Sequence, residues 1–169
     1  GDGASAGTGT SGSGVKTNTI GLFIGANTSS GANFNGTIDE VAIYSYAKSA
    51  AEIYRDYNNS TYTAKIYKDA VGYWHLDGNA NDSSGNNNGG TATGGAASID
   101  GGIIGKAYNF DGVDDHVNIS DYGLPVGDSA RTISVWMKVN KHSTSDLGLV
   151  RYGTAVNTKT SAIFLTYNK

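Results

Sequence analysis

Short runs in which apolar and polar residues alternate recur along the chain. The alternation is clearest in residues 37–44 and 132–139, and a period of two residues is that of a β-strand. Further short apolar or alternating runs occupy residues 19–26, 71–76, 106–110, 113–119, 147–152 and 162–167. Polar turns rich in glycine and asparagine separate these runs, so the sequence predicts short strands joined by tight turns.

One helix is predicted among the strands. Ser49 and Glu52 have the spacing of a capping box, in which the serine hydroxyl accepts from the Glu52 amide and the carboxylate accepts from the Ser49 amide. We expect this helix to end near Asn58. Many strands with one short helix predict an all-β fold, an antiparallel two-sheet β-sandwich of the jelly-roll kind.

Two aspartates are predicted to point toward the core. By alternation, Asp39 shares a face with Val41 and Ile43, and Asp115 shares a face with Val117. A carboxylate in such a place is costly to bury unless backbone amides, an arginine or a metal ion satisfies it. For Asp39, the amides of a neighbouring loop and a calcium ion, which prefers oxygen ligands, are both open alternatives.

Composition excludes several kinds of protein. The 169 residues suffice for one sandwich with a sizeable core. Only 16% of them are charged and the net charge is −3, whereas a nucleic-acid surface needs a basic stripe. There is no cysteine, which excludes disulfides and thiolate metal sites. We therefore predict no nucleic-acid partner, and a polar, uncharged partner if there is one.

The same composition bears on location. Low charge with much Asn, Thr and Gly favours an extracellular or cell-surface protein, and no run is long and apolar enough to predict membrane insertion. The chain opens with Gly1 instead of methionine, which suggests a processed product or an excised piece.

Two blocks of the sequence resemble the laminin-G-like, concanavalin A-like lectin/glucanase jelly-roll family. VGYWHLDGNANDSSGNNNGG, GKAYNFDGVDDHVNIS and TISVWMKV, within residues 71–139, resemble the opening of such a domain, and FNGTIDEVAIYSYAKSAAEI, residues 34–53, resembles its end. The resemblance implies a concanavalin A-like sandwich. It also implies a calcium site at a loop edge, to which Asp39 corresponds in the closing block and Asp111 and Asp115 in the opening block.

The two blocks stand in reversed order. Residues 1–57 resemble the C-terminal part of one sandwich, residues 58–70 a linker, and residues 71–169 the N-terminal part of a second sandwich or of the same one permuted. Three explanations follow: a tandem repeat cut out of phase, a circular permutation, or a half-sandwich completed by a neighbour. A half-sandwich exposes strand edges and an apolar face, so the favoured partner is a neighbouring copy or an adjacent repeat.

The sequence predicts no enzyme. Glu40 and Glu52 are the only glutamates; Glu52 is assigned to the cap, and Glu40 is expected to be solvated. The three histidines, His75, His116 and His142, have no spacing typical of a zinc site or a catalytic triad. Asp77 and Asp82 are expected to cap turn amides.

The predicted function is a non-enzymatic extracellular structural or adhesive module of a repetitive surface or filament-forming protein. The alternative is a carbohydrate-binding, lectin-like module that targets glycans. It requires an aromatic platform, for which Tyr57 and Trp136 are among the available rings, and no pattern in the sequence distinguishes such a platform from packing.

Overall fold

The structure is a computed structural model, and it describes residues 20–27, 33–58, 67, 69–119, 123–127, 129–141, 147–153 and 160–165. Ten strands and one helix lie in this part of the chain. They are β1 (Ile20–Ile24), β2 (Asn35–Tyr44), α1 (Ala50–Asn58), β3 (Ala70–Trp74), β4 (Gly90–Thr93), β5 (Ala97–Asp100), β6 (Lys106–Asp111), β7 (His116–Ile119), β8 (Thr132–Val139), β9 (Leu147–Gly153) and β10 (Thr160–Leu165).

The strands form two antiparallel sheets, which confirms the predicted all-β sandwich with one short helix. The first sheet has the order β10-β9-β1-β7-β4. In the second sheet β2 is the central strand: β6 and β3 pair with successive parts of one edge, β8 pairs along the other edge, and β5 follows β6.

The two blocks of the sequence interleave in both sheets. β1 lies between β7 and β9, and β2 lies between β8 and the β3–β6 edge, so each strand of the closing block has neighbours from the opening block of the same chain. Such pairing is the arrangement that a permuted single domain requires. The domain boundaries stay a prediction, because most of residues 58–70 lies outside the described residues.

The main core lies between the sheets and draws on both blocks. The first sheet contributes Leu22, Ile24, Val117, Ile119 and Leu149, and the second contributes Ile38, Val41, Ile43, Trp74 and Phe110. A smaller cluster lies on the outer face of the second sheet and contains Ala42, Tyr44, Tyr67, Ala70 and Tyr73. Burial of these apolar surfaces is the main force that holds the sheets together.

The face predicted for Asp39 is wrong, because β2 contains a bulge. Ile38 and Val41 both belong to the core between the sheets, although three residues separate them and strict alternation would place them on opposite faces. Glu40 has a φ of 51°, and the register with β8 shifts between Asp39 and Ala42. The extra residue places Asp39 on the face opposite Val41 and Ile43.

The second correction concerns residues 113–119. β7 begins only at His116, and the preceding residues form a turn in which Val113 is 72% exposed while Asp115 is buried.

The two segments β4 and β5 were not predicted. β4 has the sequence GTAT, whose small side chains give no apolar alternation, and its pairing with β7 defines it as a strand.

The predicted helix is confirmed. The Ser49 amide donates to the Glu52 carboxylate at 2.8 Å, and the Glu52 amide donates to the Ser49 hydroxyl at 3.3 Å. No residue of α1 is fully buried, so the cap contributes more to its stability than it would in a helix with a buried face.

Candidate metal centre and the cavity beside the helix

The turn between β6 and β7 is tightly organised by its own aspartates. The Asp111 carboxylate accepts from the Val113 amide at 2.7 Å, and the Asp115 carboxylate accepts from the Asp111 amide at 2.8 Å. Asparagine and aspartate favour turns because their side chains bond to nearby amides in this way. The turn thereby holds its carboxylates on one side of the loop.

Three carboxylates meet at this turn. Oxygens of Asp111, Asp114 and Asp115 lie within 4.8 Å of one another. Asp115 is 3% exposed, and its Oδ1 has no hydrogen-bond partner. Burial raises the pKa of the Asp115 carboxyl, and the charges of Asp111 and Asp114 raise it further, against the opposing effect of the Asp111 amide.

Two asparagines from the start of β2 attach the turn to the second sheet. The Asn33 side chain donates to the Val113 carbonyl, and the Asn35 side chain donates to the Asp111 carbonyl. Asn33 is 7% exposed and its Oδ1 has no hydrogen-bond partner. Sequence reasoning missed Asn33 and Asp114; the contact between the two blocks, which no local pattern shows, brings the asparagine here.

The residues present fit a calcium ion. Calcium takes six to eight oxygen ligands, with carboxylate and amide oxygens among them. The turn offers three carboxylates, and one oxygen of the Asp115 carboxylate is buried without a hydrogen-bond donor. A bound calcium ion would supply positive charge against the mutual repulsion of these carboxylates.

Asp39 is not part of this group. It lies four residues along β2 from Asn35, which pairs with Asp111, and a strand advances about 3.3 Å per residue. Its Oδ2 accepts from the amides of Ile103 at 2.7 Å and Ile104 at 3.3 Å, which are amides of a neighbouring loop. The sequence left loop amides and a calcium ion as alternative partners of Asp39. The structure places loop amides at Oδ2, while Oδ1 has no hydrogen-bond partner.

The environment of Asp39 raises its pKa to about 6. Burial is the main cause, the amides of Ile104 and Ile103 act in the opposite direction, and the adjacent Glu40 raises the pKa further. The carboxylate is therefore held in place by backbone donors that only partly compensate for its loss of water.

Glu40 is buried, which contradicts the expectation of a solvated side chain. It is 0% exposed, the Tyr73 hydroxyl donates to it, and His75 Nδ1 lies 3.0 Å from its Oε1. The hydrogen bond to Glu40 raises the pKa of His75, and Tyr67 stacks on Tyr73 with ring centroids 3.7 Å apart. Sequence alternation missed this network because the outer face of the second sheet, on which Ala42 and Tyr73 also lie, is covered by a cluster of tyrosines.

Asp82 binds turn amides, as predicted, whereas Asp77 binds the amide of the first residue of β6. Asp82 accepts from the amides of Tyr73, Ser84 and Asn88 at 2.8–3.0 Å. Asp77 accepts from the Lys106 amide at 2.5 Å. His142 lies outside the described residues.

A cavity of about 460 Å³ lies between α1 and β8. The helix contributes Ile53, Asp56 and Tyr57, five successive residues of β8 (132–136) form the opposite wall, and Ile163 of β10 closes one end. The rings of Tyr57 and Trp136 are stacked, with centroids 5.8 Å apart and planes at 13°.

The polar part of this cavity is an ion pair. Lys48 Nζ lies 2.5 Å from Asp56 Oδ2 and 3.5 Å from the centre of the Tyr44 ring, and its side chain is 4% exposed. Asp56 Oδ1 is buried and has no hydrogen-bond partner, although an Arg55 nitrogen lies 3.6 Å away. The lining of the cavity thus combines a stacked aromatic pair with a largely buried ion pair.

Among the described residues, no helix is long and apolar enough to cross a membrane.

A laminin-G-like family model, described as the concanavalin A-like lectin/glucanases superfamily, matches residues 1–54, about a third of the chain. The resemblance predicted from the closing block is thereby confirmed. This family suggests a lectin-like or adhesive module, and such modules are generally non-enzymatic. No curated protein and no solved structure matches the chain.

Proposed function

We propose that the chain is a non-enzymatic extracellular module with a structural or adhesive role. The proposal starts from the match of residues 1–54 to the concanavalin A-like lectin/glucanases superfamily. It would belong to a repetitive surface or filament-forming protein and be completed by a neighbouring copy or repeat. The observation that carries the proposal is an open flank of the sandwich. Ile133, Val135 and Ile163 pack against the core, yet they also line the cavity beside α1.

The positions of the glutamates support a non-enzymatic role. A glycosidase of ordinary type needs two carboxyl groups about 5–10 Å apart across the substrate. Glu40 is enclosed by Tyr73 and His75, and Glu52 is engaged by the Ser49 cap. Neither glutamate is placed to face a substrate in a cleft.

Calcium is the cofactor we propose, with Asp111, Asp114 and Asp115 as its protein ligands. The test is thermal unfolding with about 1 mM calcium and with excess chelator. We expect calcium to raise Tm in the wild-type chain and in Asp39→Asn, and to have no effect in Asp115→Asn. A calcium effect of equal size in Asp115→Asn would contradict this assignment, and loss of the effect in Asp39→Asn would return Asp39 to the ligand set.

The structural role predicts self-association. Sedimentation velocity over a concentration series, followed by electron micrographs of the most concentrated sample, should show assemblies or ordered fibres that grow with concentration. A chain that sediments as a monomer throughout and forms no fibre would contradict the proposal.

The cavity favours one alternative, a carbohydrate-binding module. Sugars stack their C–H faces on aromatic rings and form hydrogen bonds through their hydroxyls, and this cavity is lined by the rings of Tyr57 and Trp136 together with the polar residues Asp56 and Ser134. A glycan array tests it. Binding that Tyr57→Ala abolishes and Tyr54→Ala preserves would support the alternative, since Tyr54 is exposed on the same helix and does not line the cavity.

A further inference from the structure

The cavity beside α1 follows the backbone edge of β8. Successive residues of a strand point to opposite faces of its sheet, so a surface that touches both faces must run along the edge between them. Ile133 and Val135 belong to the face that packs on the core, and Ser134 and Trp136 belong to the other face, yet all four line the cavity. Among the described residues, β8 pairs with β2 alone.

The edge of β8 carries few of the features that prevent pairing. Edge strands are commonly protected by proline, by several charges or by a bulge. The strand has the sequence TISVWMKV, with Lys138 as its only charge and no proline, and the register shift in its pairing with β2 accompanies the bulge at Glu40 of β2. Met137 is 43% exposed although it opposes the core residue Ile38.

The geometry points to β8 of a second copy as the occupant of this edge, paired antiparallel so that the second sheet continues from one copy into the other. A strand edge is complementary to itself, because a two-fold axis normal to the sheet generates an antiparallel pair and keeps the core-facing sides together. The inference rests on the proposed function only in taking a second copy as the partner.

This symmetry restricts the register. Residues that oppose each other across an antiparallel pair lie on the same face, so the axis must pass beside one residue that faces its own copy. Placing Val135 there sets Ile133 against the partner's Met137 and Ser134 against the partner's Trp136. The exposed Met137 is then covered by an apolar side chain, small Ser134 lies opposite the large indole, and Lys138 does not face another lysine.

The composition of the chain makes its first 18 residues a poor occupant of this edge and leaves a second copy free to approach it. The first 18 residues contain Val15 as their only large apolar side chain, so this segment offers little to fill an apolar edge. The net charge of −3 is small, and β8 has one positive charge, so electrostatic repulsion between copies is weak at this edge.

Cysteine trapping tests the register directly, because the chain has no cysteine of its own. Under mild oxidation, Val135→Cys should form a disulfide-linked dimer in high yield, since opposing residues in an antiparallel pair have β-carbons about 4.5–5.5 Å apart. The matched control is Ile99→Cys on β5, which is another edge strand of the same sheet among the described residues. Equal yields from the two variants would indicate random collision and would overturn the inference.

Mass measurement by light scattering tests the interface without a cross-link. At about 100 µM, the wild-type chain should have at least twice the 17.4 kDa mass of one copy. Met137→Glu should shift it to the mass of one copy with an unchanged circular dichroism spectrum, whereas Ile99→Glu should remain a dimer. A wild-type chain that stays monomeric would overturn the inference, as another segment must then occupy the edge.

The two proposals fail in different ways. Assemblies that persist in Met137→Glu, together with no trapping at Val135→Cys, would overturn pairing through β8 and leave a structural role intact. A trapped β8 dimer that forms no larger assembly would support the pairing and contradict filament formation.

Discussion

Asp39 and Asp115 are both buried aspartates, and each is 3% exposed, yet their surroundings differ. Asp39 receives two amides from the loop before β6, and no cluster of carboxylates includes it in the part of the chain that the structure describes. Asp115 receives one amide and has Asp111 and Asp114 beside it. Burial alone therefore does not single out a candidate metal ligand; the neighbouring donors and charges distinguish the two aspartates.

The loop that serves Asp39 should not tolerate a side chain at Gly102, and this should give the largest effect. A Cβ at Gly102 would lie 2.3 Å from the Lys106 carbonyl oxygen and 2.7 Å from Asp39 Oδ2. We expect Gly102→Ala to lower the free energy of unfolding by about 3 kcal/mol, because backbone must move to relieve the overlap. Urea denaturation measures it, with Gly89→Ala as the control, since nothing lies within 4 Å of a Cβ there. Equal stability of the two variants would contradict this packing.

The next largest effect should be the gain in stability on calcium binding, which we expect to depend on the Asp115 group and not on Asp39. At a concentration about 100 times the dissociation constant, the ion should stabilise the wild-type chain by about 2.7 kcal/mol. Asp114→Asn should reduce this gain, because it removes one charge from the group. Calorimetric titration checks the change in affinity, and an unaltered affinity would remove Asp114 from the proposed ligands.

The pH dependence of stability should be dominated by Asp39. Its folded pKa of about 6 lies above the ordinary value of 3.8, so its contribution to stability is present in full below about pH 3.8 and is lost as the pH rises through 6. In chelator at about pH 7.5, we expect Asp39→Asn to be more stable than wild type by about 2 kcal/mol and to vary less between pH 4 and 7. Thermal unfolding across this range measures both effects. An Asp39→Asn variant less stable than wild type at high pH would show that the carboxylate's hydrogen bonds outweigh its desolvation.

The smallest effect expected is at Asp115, where the change in unfolding free energy caused by Asp115→Asn should reverse its sign when calcium is added. Without calcium, Asp115→Asn removes a charge that Asp111 and Asp114 repel, and it should stabilise the chain by about 0.5 kcal/mol. With calcium, the same substitution should destabilise it. Chemical denaturation in the two buffers measures the difference, and the same sign in both would contradict a bound ion at this turn.

Part of the candidate site could be predicted from sequence, because it is local. The Asp-Gly-Val-Asp-Asp turn contains all three carboxylates within five residues, and its side chains bond to amides of the same turn. The capping box of α1 is also local, and its hydrogen bonds follow from residues three apart. Such features depend on short-range geometry that every copy of the motif shares.

Other features depended on contacts between distant segments. Alternation assigned Asp39 to the core side, but the bulge at Glu40 reverses its face, and nothing in the local pattern of apolar residues marks a bulge. Asn33 reaches the turn between β6 and β7 from a distant part of the chain, next to the pairing of β2 with β6. β4 became a strand through pairing with β7, since its small side chains carry no periodic signal.

The sequence by itself determined an all-β chain, most of its strands and its capped helix, because each follows from periodicity or short-range hydrogen bonding. Only the tertiary structure decided which face Asp39 occupies, how the reversed blocks pair, and that β8 lies at an edge beside an apolar cavity. Register and strand order depend on which distant surfaces bury one another, and residue spacing along a chain does not encode that choice locally.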